Sequence, residues 1–223
     1  MEIVSIFDTK NRATPLVLEN VSLITSTIKQ RKSSMSTSIE QKNDLNISNQ
    51  LQMTVYSSLM AALIAVGSFI AIPIGPVPIV LQNLFVMLAG LLLGSRWGMA
   101  SVGLYLLAGT CGLPVFSGGG AGIGHFFGPT GGYLISYLPA VFVVGFISER
   151  STSLFARAAA LVAAHVIIFS IGVSWLKVAT GMSFAKAMAV GMFPFLIGDV
   201  VKIIAALLIA RALYPLVSKK ITK

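Results

Sequence analysis

FPFLIGDVVKIIAALLIA, residues 193–210, places one acid and one base, Asp199 and Lys202, in an otherwise uncharged run of eighteen residues. As a helix this run rises about 27 Å at 1.5 Å per residue, close to the ~30 Å hydrocarbon thickness of a bilayer. Asp199 and Lys202 are i and i+3, so they share one helix face. A charge inside a spanning helix costs at least ~2.5 kcal/mol. Two on one face imply that the face looks into a helix bundle or a cavity rather than into lipid. The stretch therefore predicts an all-α integral membrane protein with a polar interior site.

The rest of the chain agrees. Hydrophobic residues make up 56% of its 223 positions and charged residues 10%. Soluble domains carry about 25% charged residues, and surface-to-volume scaling leaves no way to bury so many apolar side chains in water. Moving back from residue 193, apolar runs recur at 157–176, 131–148, 97–114, 79–95 and 54–72, and the run that contains Asp199 is placed at 187–213. The expected fold is a bundle of six transmembrane helices. IPIGPVPI (72–79) separates the first two spans, a glycine-rich segment (113–132) separates the third from the fourth, and Pro194 sits near the start of the sixth.

Charge sets the orientation. Cytoplasmic connections carry an excess of Lys and Arg. The six bases of the N-terminal tail, Arg96, Arg150, Arg157, Arg211, Lys219, Lys220 and Lys223 fall on one side of a six-span arrangement, with only Lys177 and Lys186 on the other. Both termini are thus expected in the cytosol. Residues 1–50 are polar, rich in Ser, Thr, Asn and Lys, and without the apolar core of a signal peptide. Their composition predicts a disordered cytosolic tail, followed by a membrane domain at 51–223. From residue 51 on, Glu149 and Asp199 are the only acids. This basic balance belongs to a membrane protein, and the Lys/Arg stripes interleaved with aromatics that mark nucleic-acid binding are absent.

The connection LPVFSGGGAGIGHFFGPTGG (113–132) is external in this topology. A loop of this length is a lid, a binding loop or an unstructured linker. Val115, Phe116, Phe126 and Phe127 predict a lid packed over a small ligand. A phosphate loop is excluded: the stretch contains no Lys or Arg, so GxxxxGK[ST] is absent, and its glycine spacing does not fit GxGxxG.

Other polar groups at membrane depth are Gln82, Asn83, Tyr105, Tyr133, His165 and Trp175. Tyr and Trp serve as interfacial anchors. His165 reads as a hydrogen-bond partner between helices, with a proton relay as the alternative. Ala61, Ala62 and Ala65 form a small-residue patch on the first span, suited to close helix packing within the subunit or against a partner. The single cysteine, Cys111, reads as a small buried hydrophobe. No metal-ligand cluster and no nucleophile–base pair is present, so neither a metal, a cofactor nor an enzyme activity is expected.

Three motifs taken together, PVPIVLQN (76–83), GLPVFSGGGAGIGHFFGPTGGY (112–133) and PFLIGDVVK (194–202), resemble the BioY family, the biotin-specific substrate-binding (S) components of energy-coupling-factor transporters. The resemblance covers about residues 51–215. It implies a six-helix bundle in a bacterial cytoplasmic membrane that captures biotin from outside. It also implies docking through Ala61 and Ala65 of the first helix onto a transmembrane coupling subunit, with two cytosolic ATPases driving release. On this resemblance Asp199 accepts the ureido N–H groups of biotin and Lys202 donates to the ureido carbonyl. Tyr133 and the backbone of Ser117, Gly118, Gly119 and Gly120 close the pocket, and Gln82 is placed in its lining. The competing reading is a self-sufficient, proton-coupled secondary transporter of a small vitamin-like solute, with Asp199 as its coupling carboxylate. No inverted repeat of broken helices supports that reading.

Overall fold

At Gly94 the backbone takes φ 78° and ψ −172°, a region that is essentially glycine-only. The helix that contains it, α2 (Gln82–Thr110), folds back on itself there. A Cβ placed on Gly98 would lie 3.2 Å from the carbonyl oxygen of Ala89. On a straight helix nine residues span about 13.5 Å, so residues 82–93 and 95–110 form a tight helical hairpin. Glu149 holds the turn: its Oε1 accepts the Ser95 backbone N–H at 2.7 Å, and both its oxygens accept from the Ser95 hydroxyl at 3.1 Å. A carboxylate on the first free N–H groups of residues 95–110 is favourably placed against the helix dipole.

The computed structural model describes residues 3–73 and 76–221. Its elements are α1 (Ile3–Phe69), a two-residue hairpin of β1 (Ala71–Ile72) and β2 (Ile79–Val80), α2, two 3-10 turns (Ser117–Gly119 and Ile123–Phe127), α3 (Gly131–Arg150), α4 (Leu154–Thr180), α5 (Phe184–Gly191) and α6 (Phe193–Ile221). Among the described residues five helices are long and apolar enough to cross a membrane, because length and composition count α2 once. The second and third apolar runs of the sequence are the two arms of its hairpin, and the turn lies at Gly94 rather than at Arg96. The sixth run is also divided. Ser183 caps α5 by accepting from Lys186 N–H, α5 ends at Met192, and Pro194 falls in the first turn of α6, where its missing N–H costs no hydrogen bond.

The chain separates into two compact units, Met1–Gln50 and Leu51–Lys223. The first is helical in its described residues where composition predicts a disordered tail. It contains no glycine and a single proline, Pro15, so little in it interrupts a helix. In the second unit, α2 packs on α3 and α3 on α4, while α6 rests against α2, α4 and α5. Val86, Val102, Val141, Val144, Leu161 and Ile168 form the centre of its core.

Two expectations are corrected. Ala61 is 6% exposed and packs into the chain's own core, with Ala65 half-buried beside it. The outward face of this helix instead carries Val55, Ser58, Leu59, Ala62 and Val66. Three alanines within one turn and a half cannot share one face, and Ile64, fully buried, fixes the inward side. Cys111 is exposed, since α2 ends at it and the chain leaves the bundle there.

Candidate functional site

The glycine-rich connection is a packed cover. Phe116 is fully buried beneath it, edge-on to Tyr105 and Phe126 and stacked on His125 at a centroid distance of 5.2 Å. Its ring occupies space that exists only because residue 109 is glycine. Three bonds fix the cover to the helices: Ser68 Oγ donates to Val115 O at 2.6 Å, Gly122 N–H to Gly109 O at 2.7 Å, and Trp175 Nε1–H to Gly128 O at 3.0 Å. The aromatics expected to pack divide: Phe116 is buried and Phe126 half-buried, while Phe127 is 72% exposed.

Below the cover lies a cavity of about 40 Å³ that includes Gln82, Asn83, Ser117, Tyr133 and Tyr137 in its lining. This is room for little more than water. Tyr137 donates to Asn83 Oδ1 at 2.6 Å. Gln82 is 2% exposed; its Nε2 and the neighbouring Tyr105 hydroxyl fall short of hydrogen-bond geometry with each other, leaving a buried donor unsatisfied among the described residues. Tyr133 forms part of the wall: its hydroxyl donates to Gly191 O at 2.8 Å, tying α3 to the end of α5.

A second space, a groove of about 700 Å³, lies between α4 and the α5–α6 segment. Asp199 and His165 line it among apolar residues such as Val173, Met188 and Ile203. Asp199 is 3% exposed, and its Oδ1 accepts from Lys202 Nζ at 3.0 Å. Lys202, one turn further along α6, is 8% exposed. Such a pair repays the desolvation of its charges only when the remaining lone pairs find partners; among the described residues Asp199 Oδ2 accepts no hydrogen bond and has His165 Nε2 at 3.8 Å. Phe169 lines both spaces, and its ring lies 6.5 Å from that of Phe195.

The expected site residues thus fall into two groups. Gln82, Ser117 and Tyr133 share the small cavity, whereas Asp199 lines the groove and Lys202, which lines neither space, is bonded to it. Gly118 and Gly119, both at positive φ, have only open space where a Cβ would point, and Gly120 backs onto the His125 ring, so these three support the cover rather than line the cavity. Asn83, Tyr137, Phe169 and His165 join the site although sequence reasoning gave them no role in it. Tyr137 was legible as the i+4 neighbour of Tyr133 on one face of α3. Asn83 and His165 were visible only as isolated polar residues.

The model of the BioY family matches residues 35–219. This chain belongs to the BioY family. A probable biotin transporter BioY from Pyrococcus horikoshii is 42% identical over 156 residues, which cover 70% of this chain and 92% of that protein. The biotin transporter BioY of Thermotoga maritima is 39% identical over 163 residues, 73% of this chain and 96% of that protein. Among solved structures, the crystal structure of the S-component for biotin from an ECF-type ABC transporter superposes with a TM-score of 0.70 at 34% identity, over 74% of this chain and 92% of that one. The mostly helical fold with several membrane-capable helices is that of a multi-pass membrane protein of this family.

Proposed function

We propose that this chain captures biotin at the membrane as the substrate-binding subunit of an energy-coupling-factor-type transporter. It is a transport protein and not an enzyme. The buried Asp199–Lys202 pair, with one carboxylate oxygen that accepts no hydrogen bond among the described residues, carries the reading. A cyclic urea offers what this pair lacks: N–H donors for Asp199 and a carbonyl for Lys202. Charge-assisted bonds of this kind are about twice as strong as neutral ones. The apolar side chains around Phe169 suit the thiophane ring, and the cover built on Phe116 closes the outer end.

The closed cavity is smaller than such a ligand, so capture on this reading includes movement of Phe169, the wall shared by the two spaces. Six crossings follow from counting the α2 hairpin as two, with both termini in the cytosol of a bacterium and the cover outside its cytoplasmic membrane. The coupling subunit, with its two cytosolic ATPases, docks on the outward face of α1. Ser58 and Ala62, four residues apart and exposed, take that role in place of Ala61 and Ala65.

Calorimetry on the purified full chain tests the reading. Sub-micromolar biotin binding, abolished in Asp199→Ala, is expected. A well-folded wild type that takes up no biotin overturns it.

A further inference from the structure

His125 is the one ionisable side chain in the glycine-rich cover, and it lines the small cavity beneath. Two neighbours hold its ring. One face stacks on the buried Phe116, with centroids 5.2 Å apart and 21° between the planes. An edge lies against Gly120, where a Cβ would overlap the imidazole. Gly120 has φ −66° and ψ 150°, an extended backbone open to any residue. What glycine contributes there is therefore room for the ring. Neither ring nitrogen has a protein hydrogen-bond partner among the described residues. An imidazole keeps one N–H in either tautomer and two when protonated, so His125 brings a donor to the cavity in every protonation state.

The rest of the lining suits a small anion. Among the described residues no Asp or Glu lines the cavity, and no Lys or Arg competes with His125 there. Thr130, the N-cap of α3, also lines it, and the Thr130 hydroxyl makes no capping bond. The positive end of the α3 dipole thus lies at the cavity. Gln82, 2% exposed, stands on the same lining with its Nε2 donor unsatisfied among the described residues. A volume of about 40 Å³ admits a carboxylate and not a bicyclic ring. The groove offers the opposite environment: it holds the Asp199 carboxylate among apolar side chains. Phe169 lines both spaces, so they adjoin.

We infer that His125 is a specificity-determining residue for the anionic tail of the ligand: one ring N–H donates to the tail carboxylate in the cavity beneath the cover, with the Thr130 hydroxyl and the Gln82 amide as further donors. This inference rests on the biotin reading and extends it. A ligand whose ureido head is held by Asp199 and Lys202 keeps its carboxylate away from Asp199, past Phe169 and toward the cover. A hydrogen bond to a charged group is stronger than one to a neutral group, so His125 separates a carboxylate tail from an uncharged one.

The test pairs each protein variant with a change in the ligand. Calorimetry on the full chain in detergent compares biotin with its primary amide, of similar shape and without the charge, for wild type, His125→Phe and Gly120→Ala. Wild type is expected to prefer biotin. His125→Phe keeps a ring against Phe116 but removes the N–H. It should weaken biotin roughly ten- to a hundred-fold and the amide no more than a few-fold. Gly120→Ala leaves the backbone unstrained and displaces the imidazole, so it should shrink the preference for biotin in the same direction. Equal losses for the two ligands in His125→Phe assign the ring to packing of the cover and overturn the inference, while the biotin reading stands. Unchanged affinity for biotin in His125→Phe overturns it as well. If His125→Phe fails to fold, the preference is read from Gly120→Ala, where an undiminished preference for biotin overturns the inference. A wild type that binds neither ligand removes the biotin reading and this assignment with it.

Discussion

The ring of Phe116 fills the space left by Gly109: a Cβ on Gly109 would overlap the ring. Around it stand Tyr105, Phe126 and His125, so one residue locks the cover onto the α2 hairpin. Phe116→Ala removes a fully buried aromatic, a change that costs about 3–5 kcal/mol in a core. The cover should loosen without unfolding the bundle. Faster hydrogen exchange confined to residues 113–130, and a faster biotin off-rate, are expected. Gly109→Ala should do the same by pushing the ring out. Exchange that rises across all helices would mean that Phe116 supports the whole fold instead.

The turn at Gly94 is a second single-residue device. Any side chain there enters a backbone region available essentially to glycine, at a cost of about 1–3 kcal/mol, and also meets the Glu149 carboxylate. Gly94→Ala should therefore lower the melting temperature of the detergent-solubilised chain substantially. Glu149→Gln, which keeps an acceptor for Ser95 but loses the charge, should cost only about 0.5–1 kcal/mol. A Gly94→Ala protein as stable as wild type would contradict the hairpin geometry.

Much of this was readable from residues alone, and the failures have physical causes. The apolar runs at 131–148 and 157–176 lie within α3 and α4, because flanking Gly, Pro, Ser and Arg mark their ends. The Asp199–Lys202 contact follows from i, i+3 spacing on one helix and is present. The turn at Gly94 was misplaced by two residues because LLLGSRWG has no loop of its own: the reversal rests on one glycine's φ and on Glu149, fifty-five residues later. Which side of the first helix faces inward was not legible either, since an alanine suits a core as well as an interface. His165 was read as a hydrogen-bond partner between helices, but which residue it faces was not legible: Asp199 lies on another helix, and only the fold brings the two within 3.8 Å.

Tyr133 tests how far wall and site can be separated. Its hydroxyl is engaged in donating to Gly191 O at 2.8 Å. Tyr133→Phe keeps the ring against Gly172 and strands a buried carbonyl, costing about 1–3 kcal/mol of stability. Biotin affinity should change less than about three-fold, a shift of well under 1 kcal/mol. A loss of binding without a loss of thermal stability would place the hydroxyl on the ligand.

The charges of α6 give the sharpest contrast between stability and function. Lys202→Met leaves the Asp199 carboxylate buried without its cation, and breaking a buried pair in this way costs about 3–5 kcal/mol. Replacing both partners, Asp199→Asn with Lys202→Met, removes both charges together with the cost of burying them. The double variant should thus be more stable than Lys202→Met alone, and near wild type in thermal unfolding. It should nevertheless bind no biotin, because the carboxylate acceptor and the ammonium donor are both gone. Stability restored and binding lost in one protein would show that the pair is kept for its ligand and not for the fold. Were the double variant to unfold as readily as the single one, the pair would instead be a structural element of the α6 packing, and the site would have to be sought around Gln82 and Asn83.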